Sequence, residues 1–293
     1  MKSAFLIVAH NKFDILKLLI KSLDYKNNDI FIHIDKKCGK IDFSEFESIT
    51  KYSHVCCLRN RIAVSWGGVS QVKSTFLLLE KAISSRKDGQ SYDYFHLISG
   101  VDFPLLPNEK LEDFLFQHRG KEFVGFVENS KNLEMKLGYY HLFTDSWLKC
   151  IPYFYYLNFW LLRLQKMLNI RQYTDMDYFA KGCNWWSITY QLAASLLAQK
   201  DAILAKYKYV LCSDEIFLQT FIKHNEKFLN NVFDLKDEYN GCMRLIDWNR
   251  GGPYVFQETD FEELLMSKKF FARKFGSLDT IEKFIVYRKN KIR

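Results

Sequence analysis

The feature that most constrains the fold is the regular exchange of short apolar runs with helically spaced segments in the N-terminal part of the chain. "AFLIVAH" (4–10) is rich in strand formers, and "DILKLLIKSL" (14–23) repeats its apolar residues at helical spacing, so the chain opens β then α. "DIFIHIDKK" (29–37) predicts a second strand ending in His33 and Asp35, and a third is expected over 54–58. "WGGVSQVKSTFLLLEKAI" predicts a long amphipathic helix over 66–83, and "YDYFHLISGVDFPLL" a fourth strand over 92–106 that runs into a glycine turn and Pro104. This order implies an α/β fold: a mainly parallel sheet with helices on both faces.

In such sheets ligands bind beyond the carboxyl ends of the strands, near a switch in strand order. His10 and Asn11, Asp35 and Lys36, and Ser99 to Asp102 each follow a predicted strand end, so all three groups are candidates to line one crevice. In the second half, "CNWWSITYQLAASLLA" reads as strand then helix, "SDEIFLQTFIKH" as a helix and "GCMRLIDW" as a strand. With 48% hydrophobic residues, four prolines and no low-complexity tract, repeat or linker, the 293 residues are expected to form a single large domain.

Composition narrows function only coarsely. A net charge of +8 suits an anionic partner, which could be nucleic acid, a phosphorylated small molecule or an acidic membrane surface. Neither G-x-G-x-x-G nor a P-loop follows the first strand, which disfavours a Rossmann dehydrogenase and a phosphate-cradling NTPase. The seven cysteines (Cys38, Cys56, Cys57, Cys150, Cys183, Cys212 and Cys242) show no C-x-x-C spacing and read as reduced thiols of a cytosolic protein, not as a disulfide framework or zinc site. The apolar run in "MKSAFLIVAHNKFD" is too short for a signal peptide, so secretion is not expected. The aromatic stretch over 146–172 is broken by Lys149, Pro152, Asn158 and Arg163, which falls short of a membrane span. An interfacial helix edged by Lys149, Arg163, Lys166 and Arg171 and a buried helix both fit it.

Several residues carry candidate chemistry, each beside a structural alternative. In "CSDEIFLQTF", Asp214 and Glu215 either form the acidic first turn of a helix capped by Ser213, or supply a general base. Asp35 either accepts from a pyrimidine or ribose, or pairs with Lys36 or Lys37. Where a D-x-D motif would hold a metal against a diphosphate, the chain reads Gly100, Val101, Asp102, and one carboxylate makes a poor site for a hard cation. The literal D-x-D, Asp175 to Asp177, follows no strand and reads as a solvated turn. In "KKFFARKFGSLD", Arg273 and Lys274 either belong to a solvated cationic face or neutralise a leaving diphosphate. Arg250 in "DWNRGGPY" is a second phosphate candidate, and Trp248 beside it offers either a sugar platform or a core side chain.

Taken in order, "HIDKK", "SWGGVSQVKSTFLLLEKAI", "YFHLISGVDFPLL", "KGCNWWSIT", "SDEIFLQTF", "DWNRGGP" and "FFARKF" resemble the core-2/I-branching β-1,6-N-acetylglucosaminyltransferases, a family that includes peptide O-xylosyltransferases. The resemblance runs from Ala4 to about Phe275 and implies a GT-A-like (Rossmann-like) fold, with 1–106 as the nucleotide-binding half and 107–293 as the acceptor-binding and catalytic half. It implies an inverting, metal-independent glycosyltransferase with no cofactor, moving N-acetylglucosamine, or alternatively xylose, from a UDP-sugar to a glycan or lipid-linked glycan hydroxyl in surface polysaccharide synthesis. Carried over by motif, Glu215 is the catalytic base, Lys274 binds the diphosphate, Asp35 lies in the nucleotide-binding segment and Trp248 contacts the acceptor. Arg273, Arg250 and His10 are expected on the nucleotide, and Asp102, Trp185 and Asp214 on donor or acceptor. Glu128 and Lys136 lie where family members contact the acceptor. The chain looks like a bacterial cytoplasmic relative, with peripheral contact at the inner membrane face and no nucleic-acid partner. The rival readings are a carbohydrate-binding protein using Trp185, Trp186 and Trp248 without a base, and a nucleic-acid binder using the basic tail.

Overall fold

The first apolar run forms the centre of the sheet. In the computed structural model, which describes residues 1–85, 91–127, 133–146 and 152–291, β1 (Ser3–Ala9) pairs in parallel with β2 (Asn28–Ile34) on one side and β4 (Tyr94–Ser99) on the other. β3 (His54–Cys57) adds to β2 in parallel, and β6 (Trp186–Thr189) adds to β4 antiparallel, giving the order β3-β2-β1-β4-β6. The expected mainly parallel α/β sheet is therefore present, closed at one edge by a short antiparallel strand.

Alternation along β1 explains why both faces are covered. Ala4 and Leu6 join a buried cluster with Val72, Phe76 and Leu79 of α2 (Ser70–Ser84) and with Leu192 and Leu196 of the helix Tyr190–Ala198. Phe5, Ile7 and Ala9 join a second cluster with Ile15, Leu16 and Leu19 of α1 (Phe13–Leu23) and with Ile281 and Phe284 of the C-terminal helix Leu278–Lys291. A strand buried on both sides reads as a continuous apolar run, as "AFLIVA" does. Each fully buried large side chain contributes about 1.5–3 kcal/mol.

A second, three-stranded sheet folds the C-terminal region back onto the first. β5 (Phe103–Pro104) pairs antiparallel with β8 (Phe271–Arg273), which pairs in parallel with β7 (Arg244–Ile246). Arg273, at the end of β8, is thereby carried to the turn that leaves β4.

Two local expectations change. The helix expected over 66–83 begins only at Ser70, because Gly67 takes a left-handed φ of 75° and the Ser70 hydroxyl is held by Asp145. Ser213–Glu215 is a 3-10 turn rather than a helix start, and the helix follows at Phe217–Lys223. Cys212 adopts a left-handed φ of 53° and its N–H donates to the Gly67 carbonyl, which turns Ser213 inward. Ser213 therefore caps nothing, and its buried Oγ has no hydrogen-bond partner among the described residues.

Candidate active site

The strand order reverses between β1 and β4, which is where a sheet of this kind forms its ligand crevice, beyond the carboxyl ends of those strands. Gly100 permits the close approach, since a Cβ there would stand 3.0 Å from the Ala9 Cβ. His10 follows β1 and is exposed, while Asp35 follows β2 and is buried. The Asp35 carboxylate accepts from the Lys37 N–H at 2.8 Å and stands 3.4 Å from the Lys37 ammonium, so the pairing alternative is realised at this residue.

The turn after β4 is organised around one carboxylate. Asp102 is 1% exposed, accepts from the Ser99 N–H at 2.7 Å and Oγ at 2.6 Å, and receives the Arg273 guanidinium at 2.9 Å. Both its oxygens are thus engaged. The face of Arg273 lies 4.8 Å from the Trp185 ring, so Trp185 is a cation–π partner at the crevice. Next along the chain, Lys274 is part-exposed, and its backbone carbonyl accepts from the Phe256 N–H at 3.0 Å. Trp186, by contrast, is fully buried in β6 and is removed from any sugar-binding role.

Trp185 also links this turn to the paired carboxylates, through its neighbour. Asn184 donates to one oxygen of Asp214 at 3.1 Å, and the other oxygen is shielded from solvent with no partner among the described residues. Burial, and then the charge of adjacent Glu215, push the Asp214 pKa up to about 6. Asp214 is consequently a poorly compensated carboxyl behind the site, and no capping bond to the following helix accounts for it.

Glu215 is held differently. Lys136, on the short helix Leu133–Leu137, donates to its carboxylate at 2.5 Å, and the Lys181 ammonium stands 3.4 Å away. Its side chain remains 32% exposed. Burial opposes the Lys136 ammonium, but the hydrogen bond and charge of Glu215 outweigh it and the lysine pKa is raised. Glu238 completes the group: burial raises its carboxyl pKa, and it feels the charges of Lys181 and Glu215. Its neighbour Tyr239 has its hydroxyl pKa raised by burial, and Trp248 is 56% exposed. The contacts thus run from Asp102 through Arg273 to Trp185, and from its neighbour Asn184 to Asp214, with the Glu215 carboxylate next along the chain.

The sequence profile of the Core-2/I-branching enzyme family matches residues 3–268. The chain belongs to this family of glycosyltransferases. Among curated proteins it is similar to a xylosyltransferase of Ciona intestinalis, 23% identical over 287 residues, and to xylosyltransferase 2 of Rattus norvegicus, 26% identical over 297 residues. These alignments cover 92% and 94% of this chain but 32% of each relative, so the chain spans about a third of their length. A crystal structure of mouse xyloside xylosyltransferase 1 in its apo form aligns over 96% of this chain and 99% of its own at 9% identity, with a TM-score of 0.36. The architecture accordingly rests on this chain's own sheet order.

Within this member of the Core-2/I-branching enzyme family the expected residues divide. Asp102, Trp185, Arg273 and Asp214 are joined by the contacts above, with Glu215 next to Asp214 and Lys274 next to Arg273. Arg250 departs from expectation: Asp247, Asp260 at 2.8 Å and Glu263 at 2.8 Å already surround its guanidinium, and its face lies over Tyr254. Those bonds account for it without a phosphate. Asp175 accepts from the Tyr178 N–H, the exposed turn that its sequence suggests. Glu128 and Cys150 lie outside the described residues. The other six cysteines are free thiols. Lys181 and Glu238 were not singled out by sequence reasoning, although Lys181 opens the quoted "KGCNWWSIT"; only the fold brings it to Glu215.

Proposed function

We propose that the chain is an inverting glycosyltransferase that moves a sugar from a UDP-sugar to a hydroxyl of a glycan acceptor. The observation that carries this reading is the Glu215 carboxylate, fixed by Lys136 and Lys181 yet still open to solvent beside a crevice at the strand ends. The acceptor oxygen attacks the anomeric carbon while its proton passes to Glu215. The bond between that carbon and the diphosphate oxygen breaks, and UDP leaves with the electron pair. Attack from the face opposite the leaving group inverts the anomeric centre.

Charge that grows on the diphosphate is met by Arg273 and Lys274. Such preorganised cations act most strongly where water is excluded. In support of fixed cations in place of a metal ion, Asp102 spends both oxygens on Ser99 and Arg273. The proposed donors are UDP-N-acetylglucosamine, suggested by the branching-enzyme motifs, and UDP-xylose, suggested by the names of the relatives. The proposed setting is a growing surface glycan at the inner face of a bacterial cytoplasmic membrane.

The test is Glu215→Gln, assayed for UDP binding by calorimetry and for acceptor-dependent UDP release from each donor. UDP affinity is expected within about twofold of wild type, with turnover lower by about 10²- to 10⁴-fold. Near-normal turnover removes Glu215 as the base. Wild-type protein that binds sugars but releases UDP from no donor refutes transfer in favour of simple carbohydrate binding.

A further inference from the structure

Along the helix Pro152–Met167, Gln165 is buried while a row of large apolar side chains is exposed. Tyr153, Tyr156, Phe159, Trp160, Leu164 and Met167 recur at spacings of three and four residues, and their exposures run from 43% for Leu164 to 75% for Met167. On a face turned toward a protein core these side chains would be covered. An apolar patch of this extent on a charged protein marks an interaction surface. Leu168 and Ile170 continue it beyond the helix end, at 57% and 44% exposure.

The charge pattern selects the partner. Residues 152–172 contain Arg163, Lys166 and Arg171 and no Asp or Glu. The Arg163 guanidinium lies over the Phe159 ring at 5.7 Å and the Trp160 ring at 5.6 Å, an aromatic surface bordered by a cation. Tyrosine and tryptophan favour the boundary between headgroups and acyl chains, while cations favour anionic headgroups. The helix is also too short to span: among the described residues no helix is long and apolar enough to cross a membrane.

We infer that this helix docks the protein on an anionic lipid bilayer, lying in the interface with its aromatic face in the headgroup region. The inner face of the helix is tied to the site. Gln165 both accepts from the Tyr140 N–H at 2.8 Å and donates to its carbonyl at 3.1 Å, and the Gln172 N–H donates to the Gly138 carbonyl at 2.9 Å. Lys136, the partner of Glu215, precedes these residues in the same segment. Docking therefore holds the Glu215 side of the crevice near the lipid surface, where an acceptor glycan on a lipid carrier would be presented. That last consequence rests on the sugar-transfer reading; the lipid contact itself does not.

The experiment is co-sedimentation of the full chain with phosphatidylglycerol vesicles and with pure phosphatidylcholine vesicles at low and high salt, without any sugar nucleotide. Wild-type protein is expected to pellet with the anionic vesicles at low salt and to be released by salt. Trp160→Glu with Tyr156→Glu is expected to stay in the supernatant, and each of Arg163→Gln and Lys166→Gln to weaken binding by about fivefold. Acceptor-dependent UDP release toward a soluble acceptor, measured on the same preparations, is expected to be unchanged, which also shows that the variants are folded. Wild-type protein that ignores anionic vesicles at low salt overturns the inference. So does equal pelleting by the double variant, or a dimer in sedimentation velocity that the double variant dissolves, since a second copy would then cover the face.

Discussion

Two regions of this molecule concentrate opposite charges, and they have opposite characters. Around Arg250, three carboxylates surround one guanidinium at a half-exposed surface, with every nitrogen used and Tyr254 beneath. Around Glu215, two lysines hold one carboxylate while its neighbour Asp214 keeps out of solvent an oxygen that has no partner among the described residues. The first arrangement is complete, and its chemistry ends in tying the loop after β7 to the segment at Asp260 and Glu263. The second carries an uncompensated group next to a solvent-open carboxylate, which is the pattern expected where strain is retained for function. Density of charge therefore does not locate a site; incompleteness does.

The largest effect that sharpens this contrast comes from exchanging the two cationic positions. Lys274→Ala is expected to lower kcat by about 10²- to 10³-fold, as removal of one transition-state donor does elsewhere. Arg250→Met is expected to leave kcat within about twofold of wild type while lowering Tm, because Asp247, Asp260 and Glu263 would then repel one another. Steady-state kinetics and thermal unfolding on both variants check the pair. The reverse outcome, with Arg250 essential and Lys274 dispensable, would transfer the diphosphate site to the Arg250 cluster.

A smaller effect concerns Asp214. Its folded pKa of about 6 lies above the ordinary value of 3.8, so the folded chain holds this proton more tightly than the unfolded chain. Stability is therefore gained as pH falls from about 6 toward about 4, and is lost as pH rises through about 6. Asp214→Asn removes the buried charge and is expected to stabilise the protein by about 1 kcal/mol at pH 7.5. The gain should shrink below pH 6 and vanish near pH 4, as read by urea unfolding across that range. A gain that is flat with pH, or that grows toward acid, would mean that Asp214 is compensated by a group other than Asn184.

Much of the first half was legible because burial on both faces writes itself as uninterrupted apolar runs. "AFLIVA" and "DIFIHI" mark β1 and β2 within a residue or two. The Ser213–Glu215 turn was not legible as such, since Ser followed by two acids also describes a capped helix. The deciding residue is Cys212, whose left-handed backbone is set by a contact with Gly67, far away in sequence. The pairing of Arg250 was not legible for a related reason: its partners Asp260 and Glu263 come from beyond the glycine turn, and one arginine near glycines looks the same whether it awaits a phosphate or is already paired. Trp185 and Trp186 are adjacent in sequence, yet Trp185, just before β6, meets Arg273 while Trp186, its first residue, is fully buried in the core. Residue types announced the candidates, and long-range packing decided among them.

The account's central claim is that side-chain cations, Arg273 and Lys274, compensate the diphosphate as the sugar departs. It is tested most directly by measuring acceptor-dependent UDP release by the wild-type chain before and after exhaustive treatment with EDTA. The prediction is an unchanged rate, still lowered by about 10²- to 10³-fold in Lys274→Ala. Activity that disappears with the chelator and returns with added manganese would contradict it.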